Sequence, residues 1–483
     1  MSETSSYELV VGLEVHAQLL TETKLFAGDA NAFGADPNTL VSPITLGHPG
    51  TLPRMNERAI GHAVKMGLVC RSEIARVNYF ARKNYFYPDL PKGYQISQHT
   101  TPICIGGYVQ VRVGDEVKHV RLTRIHLEED AGKSIHDIDP SLTCVDYNRA
   151  GVPLVEIVSE PDMNSSEEAF AFLTELRKLV RWIGVCDGNM EEGSLRCDAN
   201  ISLRKKGDPQ LGTKVEVKNL NSIRNVRKAI DIEAERIKSL LDKGELILQE
   251  TRGFDADRET TYSIRTKEDA DDYRYFPDPD LTPFIVTDQQ IEQYRKELPM
   301  LPEEWVNKLT KEYKLSEYDA RILAEDNELV NYFVAIAAKT SNFKAVSNWL
   351  IGPLKSYCNE NNVELNAVHI TPDQWAKLIE MLDSGKLSFS AAASKLFPLL
   401  ISQVGADPEH IAGQLNMIQV SDQSDINSWA DEVIRTMPDK VVEFRKGKKG
   451  LIGLFMGEVK KLSKGKADPR LANEILLQKL NQS

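Results

Sequence analysis

The stretch Leu9-Val-Val-Gly-Leu-Glu-Val-His-Ala-Gln-Leu19 alternates with period two. Leu9, Val11, Leu13, Val15, Ala17 and Leu19 point one way, so Glu14, His16 and Gln18 share the opposite face of a single strand. Same-side neighbours on a strand stand about 6.6 Å apart, near enough for a carboxylate and an imidazole to approach one cation. A half-buried sheet with a solvated side gives the same pattern, so this strand alone defines a fold element and only half of a site.

Three more segments repeat the design. Val117 to Leu127 is strand-like and ends in the carboxylates Glu128, Glu129 and Asp130. These repel one another unless a cation or a base compensates, and hard oxygen donors suit Mg²⁺ with phosphate as its remaining partner. In Ser194-Leu-Arg-Cys-Asp-Ala-Asn-Ile-Ser-Leu203 the polar side carries Arg196, Asp198 and Asn200; in Lys214-Val-Glu-Val-Lys218 it carries Lys214, Glu216 and Lys218. Four strand faces that interleave carboxylates with bases are what metal-assisted phosphoryl transfer requires. Gly132-Lys-Ser134 is not a P-loop, because the motif needs Gly where Leu127 stands, and no G-x-G-x-x-G occurs; a nucleotide site here is built another way.

Around these strands the texture is α+β from Tyr7 to about Val286. Ser165 with Glu168 opens a helix through Leu173, Leu176 and Val180 that stops at Gly184. Ser222 opens another, whose first turns carry Arg224, Arg227 and Lys228 against the helix dipole, as beside an anion. From about Gln290 the pattern turns helical, with Leu329, Phe333, Ile336 and Ala337 at helical spacing and a Thr371-Pro372 cap. Gly405-Ala-Asp-Pro408 starts a helical tail. The expected division is 1–289, 290–404 and 405–483, matching about three domains for 483 residues.

The net charge of −12 disfavours a protein coated in nucleic acid, but the average hides a contrast. Lys440 to Arg470 holds ten Lys and Arg against three acids, a balance of +7 suited to a phosphate backbone. The six cysteines include no C-x-x-C pair, which excludes a zinc knuckle and points to reduced thiols. With no basic n-region and no run of about 18 apolar residues, a soluble cytoplasmic protein without membrane association is expected. Two loops, Arg82-Lys-Asn-Tyr-Phe-Tyr-Pro-Asp-Leu-Pro-Lys-Gly-Tyr-Gln95 and Asp271-Asp-Tyr-Arg-Tyr-Phe-Pro-Asp-Pro-Asp280, interleave aromatics with charge, a texture shared by base-stacking loops and by covers of a core.

Val11 to His16, Arg82 to Pro88, Tyr94 to Gln98, His126 to Ser134, Val155 to Pro161, Glu191 to Asn200 and Asp271 to Pro277 resemble the B subunit of the bacterial and organellar tRNA-dependent amidotransferases, nearly end to end. The resemblance implies an N-terminal cradle with a mixed or antiparallel sheet, related to glutamine synthetase and guanido kinases. A helical domain and a small all-α tail that contacts tRNA would follow. It implies ATP-dependent phosphorylation of the side-chain carboxylate of Glu on tRNA(Gln) or Asp on tRNA(Asn), then displacement of phosphate by ammonia. The ammonia would come from glutamine hydrolysed by an amidase partner, the family's A subunit, with a small C subunit bracing the pair into a heterotrimer. This chain has no Ser/Lys amidase or Cys/His glutaminase pattern of its own. Glu14, His16, Glu129 and Glu216 match positions that hold Mg²⁺ in the family. Glu128 and Asp198 join them as catalytic neighbours, while Arg196, Lys214 and Lys218 are expected on phosphate, with Arg196 and Lys218 binding ATP. Lys83 and Lys92 match the ammonia route. In the tail Arg445, Lys446, Lys448, Lys449, Lys460 and Lys464 are expected on tRNA. The rival expectations are a tRNA-binding scaffold without transfer chemistry and a stand-alone ATP-dependent amide ligase for a small acid.

Overall fold

The computed structural model describes residues 6–98, 100–136, 138–139, 141–266, 273–415, 417–418, 423–463 and 467–481. The chain forms two compact units, Met1–Pro299 and Met300–Ser483.

In the first unit the elements that position the site are, in chain order, β1 (Tyr7–Gln18), α1 (Glu57–Val69), β2 (Ala81–Asn84), β3 (Tyr94–Ser97), β4 (Tyr108–Val113), β5 (Glu116–Glu129), β6 (Pro153–Ser159), α2 (Ser166–Trp182), β7 (Leu195–Lys205), β8 (Val215–Leu220), α3 (Ile223–Asp242), β9 (Glu250–Asp255), β10 (Thr260–Thr266) and β11 (Arg274–Pro277). Ten strands of one 13-stranded sheet run in the order β10-β9-β8-β7-β1-β6-β5-β3-β2-β11, and the other three, β4 among them, pair off this path. Neighbours on this path are antiparallel except β8 and β9, which run parallel because α3 carries the chain back between them. The unit is therefore α+β with a mixed sheet. Its two ends approach each other, since Arg265 on β10 hydrogen-bonds Tyr273 at the start of β11. The sheet is thus curled, with one face concave.

The two faces differ as the period-two pattern of β1 requires. Val11, Leu13, Val15 and Ala17 are buried with Ala199, Ile201, Val155 and Ile157 of the flanking strands. Helix α1 packs on β5, α2 on β1 and β4, and α3 on β7, so the helices cover the apolar side. The helix starts obey their sequence signals. The Ser165 hydroxyl accepts from Glu168 N at 3.1 Å, but the Glu168 carboxylate reaches back one residue further than a capping box, to Asn164 N at 2.7 Å. Gly184 takes the left-handed conformation that ends α2 (φ 65°). Of the bases in α3's first turns, Arg227 pairs with Glu167 and Lys228 with Glu259, so protein carboxylates supply most of the expected anion.

The described elements of the second unit are helices. Asn327–Ala337 buries Leu329, Phe333 and Ile336, and Thr371 with Gln374 forms a complete capping box. Trp349, Trp375 and Phe397 pack with ring centroids 5.5 to 5.8 Å apart. Toward the C-terminus a separate core gathers Ile426, Val433, Phe444, Phe455, Val459 and Leu476. Arg445, Lys446, Lys448, Lys449 and Lys460 are exposed around it; Lys464 lies outside the described residues. Lys448 pairs with Glu443 at 3.0 Å and Lys449 stands 4.4 Å over the Phe444 ring. No described helix is long and apolar enough to cross a membrane.

Candidate active site

Cross-strand register assembles the site on the concave face. His16 on β1 is opposite Glu156 on β6, which is opposite His126 on β5; Glu128 follows two residues along, opposite Leu154 and Ser97. The side chains converge on Glu156. Its Oε2 lies 3.5 Å from Nε2 of both His16 and His126, and His126 Nε2 lies 3.8 Å from Glu128 Oε2. Lys83 Nζ on β2 stands 3.7 Å from the same Glu128 oxygen, while the Gln95 amide donates to Glu128 Oε1 at 3.1 Å. Arg124 flanks Glu156 at 3.9 Å.

On the same face, toward β7 and β8, lies a second group. Asn200 donates to Glu14 Oε1 at 2.8 Å. The regular register of β7 with β8, in which Asn200 is opposite Glu216, sets Lys218 across from Asp198 (2.6 Å), and Glu216 lies two residues back on the same strand (3.2 Å). Arg196 binds Asp130 at 2.6 Å, and Gln18 donates to Asp130 at 2.8 Å.

For His16, Glu128, Asp130, Glu156, Lys83 and Lys218 burial opposes the charge, and their neighbours outweigh it. The His16 imidazole is raised above its usual range because Glu156 overcomes desolvation. Glu156 is depressed well below the carboxylate range despite burial, by His126, His16 and Lys83, and Glu128 is lowered chiefly by Lys83. Asp130 is held low by Arg196 and Arg149, while Lys83 and Lys218 are raised by Glu128 and Asp198. Glu128, Asp130, Glu156, Lys83 and Lys218 are therefore charged at neutral pH. Among the described residues six buried side-chain polar atoms lack a hydrogen-bond partner, and three sit here: Glu128 Oε2, Arg196 Nε and Asn200 Oδ1. Unsatisfied groups of this kind cost about 1–3 kcal/mol each and call for an explanation, a bound ion or ligand being one.

The residues read from the sequence divide three ways. Glu128 and His16 meet in the first group; Glu14, Asp198, Glu216 and Lys218 meet in the second, with Arg196 beside them. Lys214 is exposed just before β8. Glu129 is not gathered with His16, Glu14 and Glu216: strand alternation turns it to the opposite side of β5 from Glu128. There it pairs with Lys92 at 2.5 Å and accepts from Ile96 N at 2.8 Å. These line a cavity of about 140 Å³ with Lys24, His48, Tyr94 and Asp280. Lys24 is fully buried, donates to Leu40 O at 2.7 Å, and is pushed down to about 8 by burial. Lys83 and Lys92 therefore face different spaces. Glu156 and His126 are not singled out in the sequence; Asp130 is, as one of three consecutive carboxylates, and it is found against Arg196 and Gln18. Two signals were present: His126 and Glu128 repeat the two-residue spacing of Glu14 and His16, and Glu156 is a lone carboxylate inside an apolar strand.

A family model described as "GatB/GatE catalytic domain" matches residues 9–292, and one described as "GatB domain" matches 331–480. Similar proteins run the whole length. The B subunit of aspartyl/glutamyl-tRNA(Asn/Gln) amidotransferase from Thermodesulfovibrio yellowstonii is 46% identical over 477 residues, 99% of this chain and 100% of that one. The protein of the same name from Bdellovibrio bacteriovorus is 47% identical over 475 residues, covering 98% and 99%, and that from Chlorobium luteolum 47% over 474, with the same coverage. Domain models over both units and identity near one half from end to end lead to one conclusion: this chain belongs to the GatB family of amidotransferase B subunits.

Proposed function

We propose that the concave face transfers phosphate from ATP to the side-chain carboxylate of Glu-tRNA(Gln) or Asp-tRNA(Asn), and that ammonia then displaces the phosphate to give Gln- or Asn-tRNA. The observation that carries this reading is the buried His126, Glu128 and Glu156 group, with half-buried His16 against Glu156 and an unpartnered Glu128 oxygen. A carboxylate is a poor acceptor for ammonia; phosphorylation gives it a leaving group. Lys83 holds the Glu128 side of the face charged, and Arg196 and Lys218 offer cations along the second group, where phosphate charge is to be stabilised.

His126, Glu128 and Glu156 present three ligand atoms within 4.8 Å of one another, and the two carboxylate oxygens among them are the donors that suit Mg²⁺. When bound, the ion would neutralise charge on the transferring group. Glu14, Asp198 and Glu216 form a second acidic set beside Lys218. The cavity with Lys24, Lys92 and Glu129 is our candidate for the ammonia entry, leading from an amidase partner that a small third protein steadies in a heterotrimer. The curled sheet is consistent with a cradle of the glutamine synthetase and guanido kinase kind. On this reading 1–289 is the catalytic domain, 290–404 a helical domain and 405–483 the tRNA-binding tail, working in the cytoplasm.

The assembled complex, given ATP, Mg²⁺, glutamine and misacylated tRNA, is expected to release ADP only when charged tRNA is present. Equal release with free glutamate would make it a small-acid ligase, and none at all would leave a scaffold. Replacing Lys446, Lys448 and Lys449 with Ala is expected to flatten the salt dependence of tRNA binding by about one unit of slope per lysine. An unchanged slope would remove the tail from the tRNA contact.

A further inference from the structure

We propose that Tyr85, Tyr87, Tyr273 and Tyr275 form a stacking site for an adenine ring beside the Glu128 cluster; the inference rests on the function proposed for the concave face. The four come from two distant parts of the chain. Tyr85 and Tyr87 follow β2, Tyr273 and Tyr275 enter β11, and β2 pairs with β11 so that Tyr275 is opposite Lys83. Ring centroids are 6.1 Å apart for Tyr85 and Tyr87, 5.3 Å for Tyr85 and Tyr273, and 6.5 Å for Tyr273 and Tyr275, with interplanar angles of 63°, 67° and 81°. All three contacts are edge to face, so the rings do not cover one another by parallel stacking.

A tyrosine cluster that served only as core would be closed to water. Here Tyr273 is 43% exposed and Tyr87 55%. Aromatic surface left open beside a charged site is the composition of a base-stacking platform. The wall is also tied to the chemistry. Lys83 Nζ lies 5.1 Å from the Tyr273 centroid and 3.7 Å from Glu128 Oε2, which puts that ring within about 9 Å of the carboxylate. The Tyr85 hydroxyl donates to Gln95 Oε1, and the amide of Gln95 donates to Glu128. Arg265 binds Tyr273 from the far end of the sheet. Both substrates of the proposed reaction carry an adenine within one nucleotide of their reacting end: ATP, and the 3′-terminal adenosine that bears the amino acid.

Equilibrium binding of ATP and of misacylated tRNA to the assembled complex, measured for the native chain, Tyr273→Leu and Tyr273→Phe, tests this. Loss of one stacked base is expected to raise one of the two dissociation constants by about 5- to 150-fold in Tyr273→Leu. Tyr273→Phe should stay within twofold of native, because stacking needs the ring and not the hydroxyl. A rise for ATP assigns the wall to the nucleotide, and a rise for tRNA assigns it to the 3′ adenosine. Both constants within twofold of native in Tyr273→Leu, or Phe as damaging as Leu, overturns the proposal. Should Tyr273→Leu fail to fold, Tyr87→Leu is read by the same criteria. Binding is measured without turnover, so a native complex lacking tRNA-dependent ADP release would contradict the proposed function while the wall is still decided by its own titrations.

Discussion

Glu128→Gln is expected to lower tRNA-dependent ADP release by on the order of 10²- to 10³-fold or more, the loss that follows removal of one preorganised electrostatic contact in a buried site. The substitution keeps the size of the side chain and keeps an oxygen for the Gln95 amide, so the strand pairing of β5 with β3 and β6 has no reason to change. What changes is charge. Lys83 then faces a neutral amide at 3.7 Å, and the acidic pair that Glu128 forms with Glu156 around His126 is broken. Glutamine hydrolysis by the amidase partner should survive, since no described residue of this face is asked to perform it. The comparison to make is ADP release with charged tRNA against glutamate release from glutamine. Near-native ADP release would remove Glu128 from the reaction.

Glu129→Gln is expected to do something different, although the residue is adjacent. Its carboxylate is buried behind the sheet against Lys92, and neutralising it strands that ammonium in a cavity that already holds Lys24. Breaking a buried pair from one side costs about 3–5 kcal/mol, which for a unit of this size lowers Tm by roughly 5–10 °C. Glutamine-dependent amidation should fall because the lining of the proposed ammonia entry is disturbed, while phosphorylation of the carboxylate on tRNA is retained. Melting curves and ADP release measured on the same preparation separate the two effects. If Glu129→Gln loses tRNA-dependent ADP release as completely as Glu128→Gln, the separation of the two faces is wrong.

That contrast also marks where the sequence stopped being informative. Alternation along one strand is local, so the shared faces of Glu14 with His16, and of Arg196, Asp198 and Asn200, could be read directly and are found as read. The helix limits at Ser165, Gly184 and Ser222 were legible for the same reason, because caps act within one turn. Register between strands is not local. Glu156 meets His16 from a distant part of the chain, and nothing in its own strand of apolar residues announces the partner. The run Glu128-Glu129-Asp130 posed a harder problem: both sides of β5 are buried at its end, so burial could not say which carboxylate faces the site. Resemblance to a family favoured Glu129, and the pleat of the strand sends it to the other side. Lys218 looked like a free base for phosphate, and two carboxylates already hold it, Asp198 across on β7 and Glu216 two residues back on its own strand.

The central claim is that the concave face, with Glu128 and Glu156 at its middle, binds the divalent cation for phosphoryl transfer, and that Glu129 belongs to a separate space. Titration of the chain with Mn²⁺ followed by electron paramagnetic resonance tests it most directly. We expect a site lost in both Glu128→Gln and Glu156→Gln and kept in Glu129→Gln; a site that survives Glu128→Gln and disappears in Glu129→Gln would contradict the account.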